Sequence, residues 1–390
     1  MEFRLTEEQK MVQETIRQFV KEELIPLEDE VLKNEQEGRP GLPPEKLKEL
    51  QFKAKEMGFW GIDTPEEYGG AGLDPMLLAI VLMELGKTFV PFAFGGSADN
   101  ILYYTNEEQK KRYLIPTING EKTSCFAMIE PNSGSNKQNI QMTAVKDGNE
   151  WVLHGEKTWI TDGHEADFVM VIAVTDKEAY EKTGRDGVTC FLVDREMGWT
   201  SKVDPTTGEG NPVSLVFQHV RVPEENILGD VHGGYNLGLE WVSFARWVAS
   251  VRAIGAAEHL LQMAIDYSKE RETFSQPIAE HQAMQQMMEN YASDIEAAKR
   301  SMLNATFTLD KEGDNKHVAS MAKLPGAAIG SHVVDSVLQI YGDIYTKELP
   351  MDRWYREARL WRIYEGADEN QHTIIARNLV EEQVKIGQYV

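Results

Sequence analysis

The sequence predicts a mainly helical α+β protein in three parts: a helical N-terminal domain over residues 1–120, a central antiparallel β-barrel or sandwich over 121–232, and a C-terminal four-helix bundle over 233–390. Three observations predict it. Apolar residues recur at helical intervals through the first 120 residues, and the period falls to two from about Lys122. After Gly233-Gly234, long runs rich in Ala, Leu, Met and Glu return. A chain of 390 residues is long enough to bury a large core in more than one domain.

Thr6 and Gln9 have the spacing of a capping box, and Val12, Ile16 and Phe19 then mark one face of a first helix that Pro26 is expected to stop. Pro43 and Pro44 open a second helix that carries Leu47, Leu50 and Ala54 and closes near Gly58. After the loop Tyr68-Gly69-Gly70-Ala71-Gly72, residues 75–86 are apolar nearly all round, which predicts a buried helix. A further short helix is expected between Asn106 and Asn119.

In the central region, strands are expected at Trp151–Leu153, Val169–Thr175, Val188–Val193 and Val213–Val222. Asp147-Gly148, Thr183-Gly184 and Thr207-Gly208 supply turns. Four long helices follow, Asn236–Arg271, Gln282–Leu309, Lys316–Ile340 and Thr373–Ile386, each with one apolar face. No internal repeat or heptad array interrupts this pattern.

Composition removes several function classes. Forty basic against 63 acidic residues leave a formal charge of −23, which repels nucleic-acid phosphates and anionic membrane surfaces. Cys125 and Cys190 are too few for a disulfide framework and are expected to be reduced. The opening MEFRLTEEQK has neither the apolar run of a secretory signal nor the basic, acid-poor character of a transit peptide, so a cytoplasmic home is expected, with a processed organellar protein as the alternative. No apolar run reaches the length of a membrane span. The nine histidines lack metal-ligand spacing, and HExxH, CxxC, P-loop, strand-linked GxGxxG and GxSxG patterns are missing, so no metal site is expected.

Five stretches remain as carriers of chemistry. Residues 125–136 read CFAMIEPNSGSN, an apolar run breaking into a turn whose bare backbone N–H groups could hold a polar ring or phosphate, or simply end a strand. Residues 155–162 read GEKTWITD, in which Trp159 and Thr161 at i and i+2 can face one flat ligand or leave the indole in the core. Arg271 in RETFSQPI could fork onto a pyrophosphate or pair with the flanking Glu270 and Glu272. Gln339 to Gly342 could contact a ligand or form a left-handed helix cap. In 353–371, RWYREARLWRIYEGADENQ, the carboxylate of Glu365 follows Leu360, Trp361 and Ile363 and precedes Gly366, a placement suited to a desolvated general base or to a silent helix end.

In this order and spacing the five stretches resemble the acyl-CoA dehydrogenase family, over essentially the whole chain. The resemblance implies FAD as cofactor, an acyl-CoA substrate, an electron-transferring flavoprotein as oxidant, and a homodimer or homotetramer. It places Phe126, Met128 and Ile129 along the pyrimidine side of the flavin, Trp159 against the ring and the Thr161 hydroxyl at N5. Ser135 matches a serine touching coenzyme A. Arg271 and Phe274 match residues that reach the FAD of a neighbouring subunit, and Gln339 and Gly342 belong to the stretch against its adenosine diphosphate. Arg246 matches an arginine near the active-site helix, and Glu365, beside Gly366, falls on the catalytic base. Some members carry the base at the position of Ala245, which has no carboxylate.

The implied reaction is α,β-dehydrogenation of an acyl-CoA thioester to a trans-2-enoyl-CoA, with Glu365 taking the α-proton while the β-hydrogen leaves as hydride to N5. The chain departs from the family at Ile129, where a threonine is usual, and at Asn136, Ser275, Asp343 and Ala367. Those departures keep two alternatives in view, a non-catalytic partner subunit of a hetero-oligomer, and a flavin monooxygenase or non-oxidative acyl-CoA enzyme on the same fold. The retained Glu365 argues against both. Trp241, Phe244 and Trp247 lie on the helix that in the family borders the acyl pocket, and either shape it for a short, branched or cyclic acyl group or face the core.

Overall fold

The computed structural model describes residues 5–135, 139–203, 212–309, 316–342 and 350–381. The Thr207-Gly208 turn, Asn136, Asp343 and the end of the last expected helix at Ile386 lie outside the described residues. The chain divides into two compact units, Met1–Met57 with Leu73–Ala93 and Ser243–Val390, and Gly58–Gly72 with Phe94–Val242.

The first unit opens with helix α1, Glu7–Phe19, whose capping box forms as expected: the Gln9 N–H donates to Thr6 Oγ1 and the Thr6 N–H to Gln9 Oε1. Pro26 does not end the helical path. A π turn over Val20–Leu24 and a 3-10 turn over Ile25–Leu27 carry it into α2, Glu28–Gln36. Pro26 falls in the first positions of the short 3-10 turn, where no amide donor is needed. Helix α3, Pro44–Glu56, ends at Met57 before the left-handed Gly58, and α4, Pro75–Leu85, is capped by Asp74 and buried along most of its length.

Within this unit α1 packs on α4, and Glu84 of α4, 1% exposed, accepts from Gln13 and Arg17 and pairs with Lys87. Glu28 of α2 is enclosed in the same way, accepting from the Thr88 hydroxyl at 2.7 Å and from the Phe89 N–H.

The second unit holds the expected helix before the sheet, as α5, Glu107–Gln109, a π turn and α6, Ile115–Ile118. Its eight strands are β1 Ser124–Ala127, β2 Thr143–Asp147, β3 Glu150–Ile160, β4 Phe168–Val174, β5 Val188–Asp194, β6 Thr200–Val203, β7 Val213–Pro223 and β8 Ile227–Leu228. They form one sheet in the order β6-β7-β3-β2-β4-β5-β8, with β1 paired beside β4. The hairpins are antiparallel, and β1–β4 and β2–β4 are parallel, which the sequence pattern does not anticipate. Parallel partners need long connections, and these strands are joined by such connections.

Strands β4 and β5 are buried at every position because both faces of the sheet are covered. Phe168, Met170 and Ile172 enter one apolar cluster and Val169, Val171 and Ala173 the other. A short helix α7, Lys177–Thr183, interrupts the strands where the sequence pattern gives only a turn. Asp176 caps its start and the left-handed Gly184 its end, so the predicted Thr183-Gly184 turn is a helix C-cap.

The C-terminal helices are α8 Gly234–Glu270, α9 Gln282–Leu309, α10 Lys316–Tyr341, α11 Met351–Trp361 and α12 Asp368–Val380, with a hairpin of β9 Glu272–Thr273 and β10 Gln276–Pro277 after α8. Besides the four helices read from the sequence, α11 forms in the 353–371 stretch, and the last helix starts at Asp368 rather than Thr373. Helix α10 packs against α9, α11 and α12, and Gly255 of α8 lies so close to α4 that a Cβ there would sit 2.1 Å from the Met83 carbonyl oxygen.

Pro325 stands inside α10, where it can supply no amide donor to Met321. The Ser301 hydroxyl of α9 bonds the Met321 carbonyl instead, at 3.0 Å, and the Ser250 hydroxyl of α8 bonds the Ala322 carbonyl at 2.8 Å.

Burial raises the Glu28 carboxyl from 4.5 to about 7. Between those values the unfolded chain ionises first, so the stability present below pH 4.5 is lost as the pH rises through about 7. This single group gives urea unfolding a slope of about 1.4 kcal/mol per pH unit across the window, and Glu28→Gln is expected to remove it. An unchanged slope in the variant would contradict the assignment.

Candidate active site

In the second unit, the two predicted flavin segments are brought side by side. β1 continues through Met128 to Glu130 next to the end of β3, and the Thr158 N–H donates to the Ile129 carbonyl at 2.9 Å. The join is fixed by a buried ion pair: Lys157, 0% exposed, donates to the Met128 carbonyl at 3.1 Å and to Glu130 Oε1 at 2.7 Å. Glu130 also accepts from the Gln141 and Met142 amides. Neither residue stands out in the sequence, although both lie inside the two motifs. A lysine in a strand does not reveal from sequence alone that no water reaches it.

Phe126 and Met128 are buried, Ile129 is half-buried, and Ser135 is exposed in the turn beyond. Trp159 and Thr161 both point out of the core, as their i, i+2 spacing predicts. Trp159 does so through a left-handed backbone, φ 58°, at an irregularity between Lys157 and Ile160 where the β3–β7 register shifts. Its indole is 57% exposed. A large apolar ring held outward on a strained backbone costs stability, so the arrangement is one suited to a flat partner.

Asp99 is a second residue that sequence reasoning misses. Its Oδ1 accepts from the Trp241 indole N–H at 2.7 Å and its Oδ2 from the Ser124 hydroxyl at 3.1 Å, and the Trp241 ring lies 4.7 Å from that of Phe126. Burial pushes the Asp99 carboxyl up from its ordinary value. Both cysteines are buried, and burial raises their thiols, that of Cys190 to about 12, which removes a thiolate nucleophile from consideration.

In the first unit, Glu365 and Gly366 form the turn between α11 and α12, with φ of 55° and 90°. A non-glycine residue in this region is strained by roughly 1–3 kcal/mol. Two carbonyls of the turn are gripped from behind. Arg246 Nε of α8 donates to the Glu365 carbonyl at 3.0 Å, and Gln371 Nε2 of α12 to both carbonyls, at 3.3 and 2.6 Å. Lys323 Nζ of α10 donates to the Gly366 carbonyl at 3.0 Å.

Arg246, Gln371 and Lys323 are all buried, whereas Glu365 is half-buried. A Cβ at Gly366 would meet Gln371 Nε2 at 2.9 Å, so this position requires glycine for space as well as for φ. Asp368 lies 3.6 Å from Lys323 and accepts from Arg362 at 2.6 Å. Desolvation lowers the Arg246 and Lys323 pKa values, and the negative charge of Glu365 works against that shift in both.

The other predicted contacts lie at the far end of α8. Arg271 is exposed after Glu270, and Phe274, 95% exposed with φ 52°, tips the β9–β10 hairpin beside Ser275. Gln339 is exposed near the end of α10, which the left-handed Gly342 follows, and the Tyr341 hydroxyl bonds the Met263 carbonyl of α8 at 3.0 Å. These four residues therefore gather at one end of α8 while Arg246 and Glu365 meet farther back along it. Of the bulky residues on α8, Trp247 is fully buried with its indole N–H on Thr306, and so belongs to the core.

Three family models cover the chain: the acyl-CoA dehydrogenase N-terminal domain at residues 6–121, the middle domain at 125–218 and the C-terminal domain at 232–380. The chain is a member of the acyl-CoA dehydrogenase family. This dehydrogenase is 34% identical to a probable acyl-CoA dehydrogenase of Bacillus subtilis, over 98% of this chain and 100% of that one. It is 33% identical to a 3-(aryl)acrylate reductase of Clostridium sporogenes, over 96% and 99%. The butyryl-CoA dehydrogenase of Megasphaera elsdenii superposes with a TM-score of 0.85 at 28% identity, over 97% and 100%.

The dehydrogenase is thus an oxidoreductase of acyl-CoA chemistry, and FAD is its family's cofactor. The outward Trp159, the neighbouring Thr161 and the short side chains at 132–135 fit that group. No described helix is long and apolar enough to cross a membrane, and the described residues contain no group of three or more potential metal ligands.

Lys157→Met leaves Glu130 buried without its partner. It is expected to lower unfolding stability by about 3–5 kcal/mol, measured by urea denaturation of the dehydrogenase. A loss within the error of the wild type would show that the pair does not hold the two segments together.

Proposed function

We propose that this dehydrogenase oxidises an acyl-CoA thioester to its trans-2-enoyl-CoA, with Glu365 as the base. The observation that carries the reading is the turn itself: a carboxylate on a strained left-handed residue, whose backbone is gripped by three buried donors while the side chain stays half-buried. Strain retained at such cost belongs to a functional position. When bound, FAD supplies the acceptor for the β-hydrogen.

The chain's own residues supply position and a proton acceptor. Phe126, Met128 and Ile129 lie along the pyrimidine side of the ring, Trp159 covers it and Thr161 bonds near N5. Ser135 meets the coenzyme A moiety. Arg246 and Gly366 shape the turn at the thioester, and the Glu365 N–H polarises the thioester carbonyl, which acidifies the α-carbon. The Glu365 carboxylate then takes the α-proton as the β-hydrogen departs with its electron pair, leaving the double bond.

Arg246 and Glu270 are 24 positions apart on α8, about 36 Å at the helical rise. Arg271, Phe274, Gln339 and Gly342 therefore serve the FAD of a neighbouring subunit, which makes the working form a homodimer or homotetramer. An electron-transferring flavoprotein in the cytoplasm is the proposed oxidant. The similarity to a reductase of 3-arylacrylates, together with the Phe126–Trp241 ring pair, favours a second reading of the same site, in which the acyl group is aryl-substituted and the bond is reduced rather than oxidised.

Anaerobic titration with butyryl-, isobutyryl- and 3-phenylpropanoyl-CoA, followed through the visible flavin spectrum, tests the reading and selects the acyl class. Glu365→Gln is expected to keep FAD and the fold and to lose flavin reduction by at least about a hundredfold. Wild-type reduction in that variant would refute the base assignment.

A further inference from the structure

The buried lysine of α10 has no role in the chemistry described so far. Lys323 lies well inside the helix and reaches no solvent, yet its ammonium is spent on a backbone carbonyl, that of Gly366 at 3.0 Å. Taking an ammonium out of water is costly. Asp368, its nearest counter-charge, stands at 3.6 Å and is already bonded at 2.6 Å to Arg362. A neutral donor would satisfy the Gly366 carbonyl, and Gln371 already does so at 2.6 Å. Satisfying the carbonyl therefore does not account for the charge.

Two further features bear on it. The helix that carries Lys323 is interrupted two residues later by Pro325, and the Ser301 and Ser250 hydroxyls tie down the Met321 and Ala322 carbonyls on the preceding turn. The lysine is thus anchored from α8 and α9 as well as by its own helix. The charged groups that face the turn are Arg246 from α8, Lys323 from α10, and Arg362 and Asp368 flanking the turn itself. Because Asp368 is neutralised by Arg362, the positive charges of Lys323 and Arg246 are left to act on Glu365.

We propose that Lys323 is a positioning residue for Glu365: it fixes the Gly366 carbonyl, and so the left-handed turn that presents the carboxylate, and its charge favours the ionised form of that carboxylate. The proposal rests on the reading of Glu365 as the base. Lys323 touches neither substrate nor cofactor and acts through the backbone and through the field of its charge.

The test uses FAD-loaded Lys323→Met, Gln371→Met and Glu365→Gln, with the thioester that most rapidly bleaches the wild-type flavin. Lys323→Met leaves no buried charge unpaired, since Asp368 keeps Arg362, so it is expected to fold, with FAD content and the urea midpoint near those of the wild type. Its flavin reduction is expected to fall about a hundredfold with thioester binding little changed, and the acid limb of its pH–rate profile to move about one pH unit upward. Gln371→Met removes a donor without a charge, and is expected to slow reduction while leaving the acid limb in place.

A Lys323→Met protein with the wild-type rate and profile overturns the proposal. So does one whose rate and urea midpoint both fall while the acid limb stays where it was, because a merely structural lysine would behave that way. If Lys323→Met does not fold, an acid limb that shifts upward in Gln371→Met also overturns it, since the shift would then not belong to the charge. Wild-type reduction in Glu365→Gln sinks the base assignment itself, whereas loss there with an unaffected Lys323→Met sinks only the positioning role.

Discussion

Buried ammonium groups bonded to backbone carbonyls are the interaction on which the candidate chemistry of each unit depends. In the second unit Lys157 ties the Met128 carbonyl and the Glu130 carboxylate together, and thereby joins the strand bearing Phe126 to the strand bearing Trp159. In the first, Lys323 holds the Gly366 carbonyl and with it the turn of Glu365. A charge taken out of water is retained only where geometry is worth more than the desolvation it costs. Here each one pins an irregular piece of backbone, which regular hydrogen bonding cannot do.

The irregular pieces are where the exposed chemistry sits. Trp159 occupies a left-handed position at a register shift, Glu365 and Gly366 form a left-handed pair, and Phe274 and Ser275 form another at a hairpin tip. Regular elements surround each of them: β3 and β7 around Trp159, α11 and α12 around Glu365, α8 and α9 around Phe274. The scaffold supplies rigidity, and the strained residues supply direction to side chains that would otherwise lie flat on a helix or alternate along a strand.

Much of the scaffold is legible because it is written in periodicity. The Thr6 capping box, the Pro44 helix start, the apolar α4 and the four long C-terminal helices are local patterns, and local patterns survive into the structure. Helix α11 escapes such a reading, although Met351, Trp354, Ala358 and Trp361 repeat on one face, because its charged residues dominate the stretch. The parallel pairing of β1 with β4 is not legible either, since strand partners separated by a long connection leave no mark on local spacing.

The sequence by itself determined the order of elements, the family and the identity of the residues at each motif, because these follow from residue type and spacing. Only the tertiary structure decided which charges are buried and what they hold. Lys157, Lys323, Asp99 and Arg246 read as ordinary polar residues in the chain, and each becomes a fixed support only when distant segments close over it. Burial and partner are properties of the assembled core, where desolvation makes a single unpaired group costly and a paired one directive.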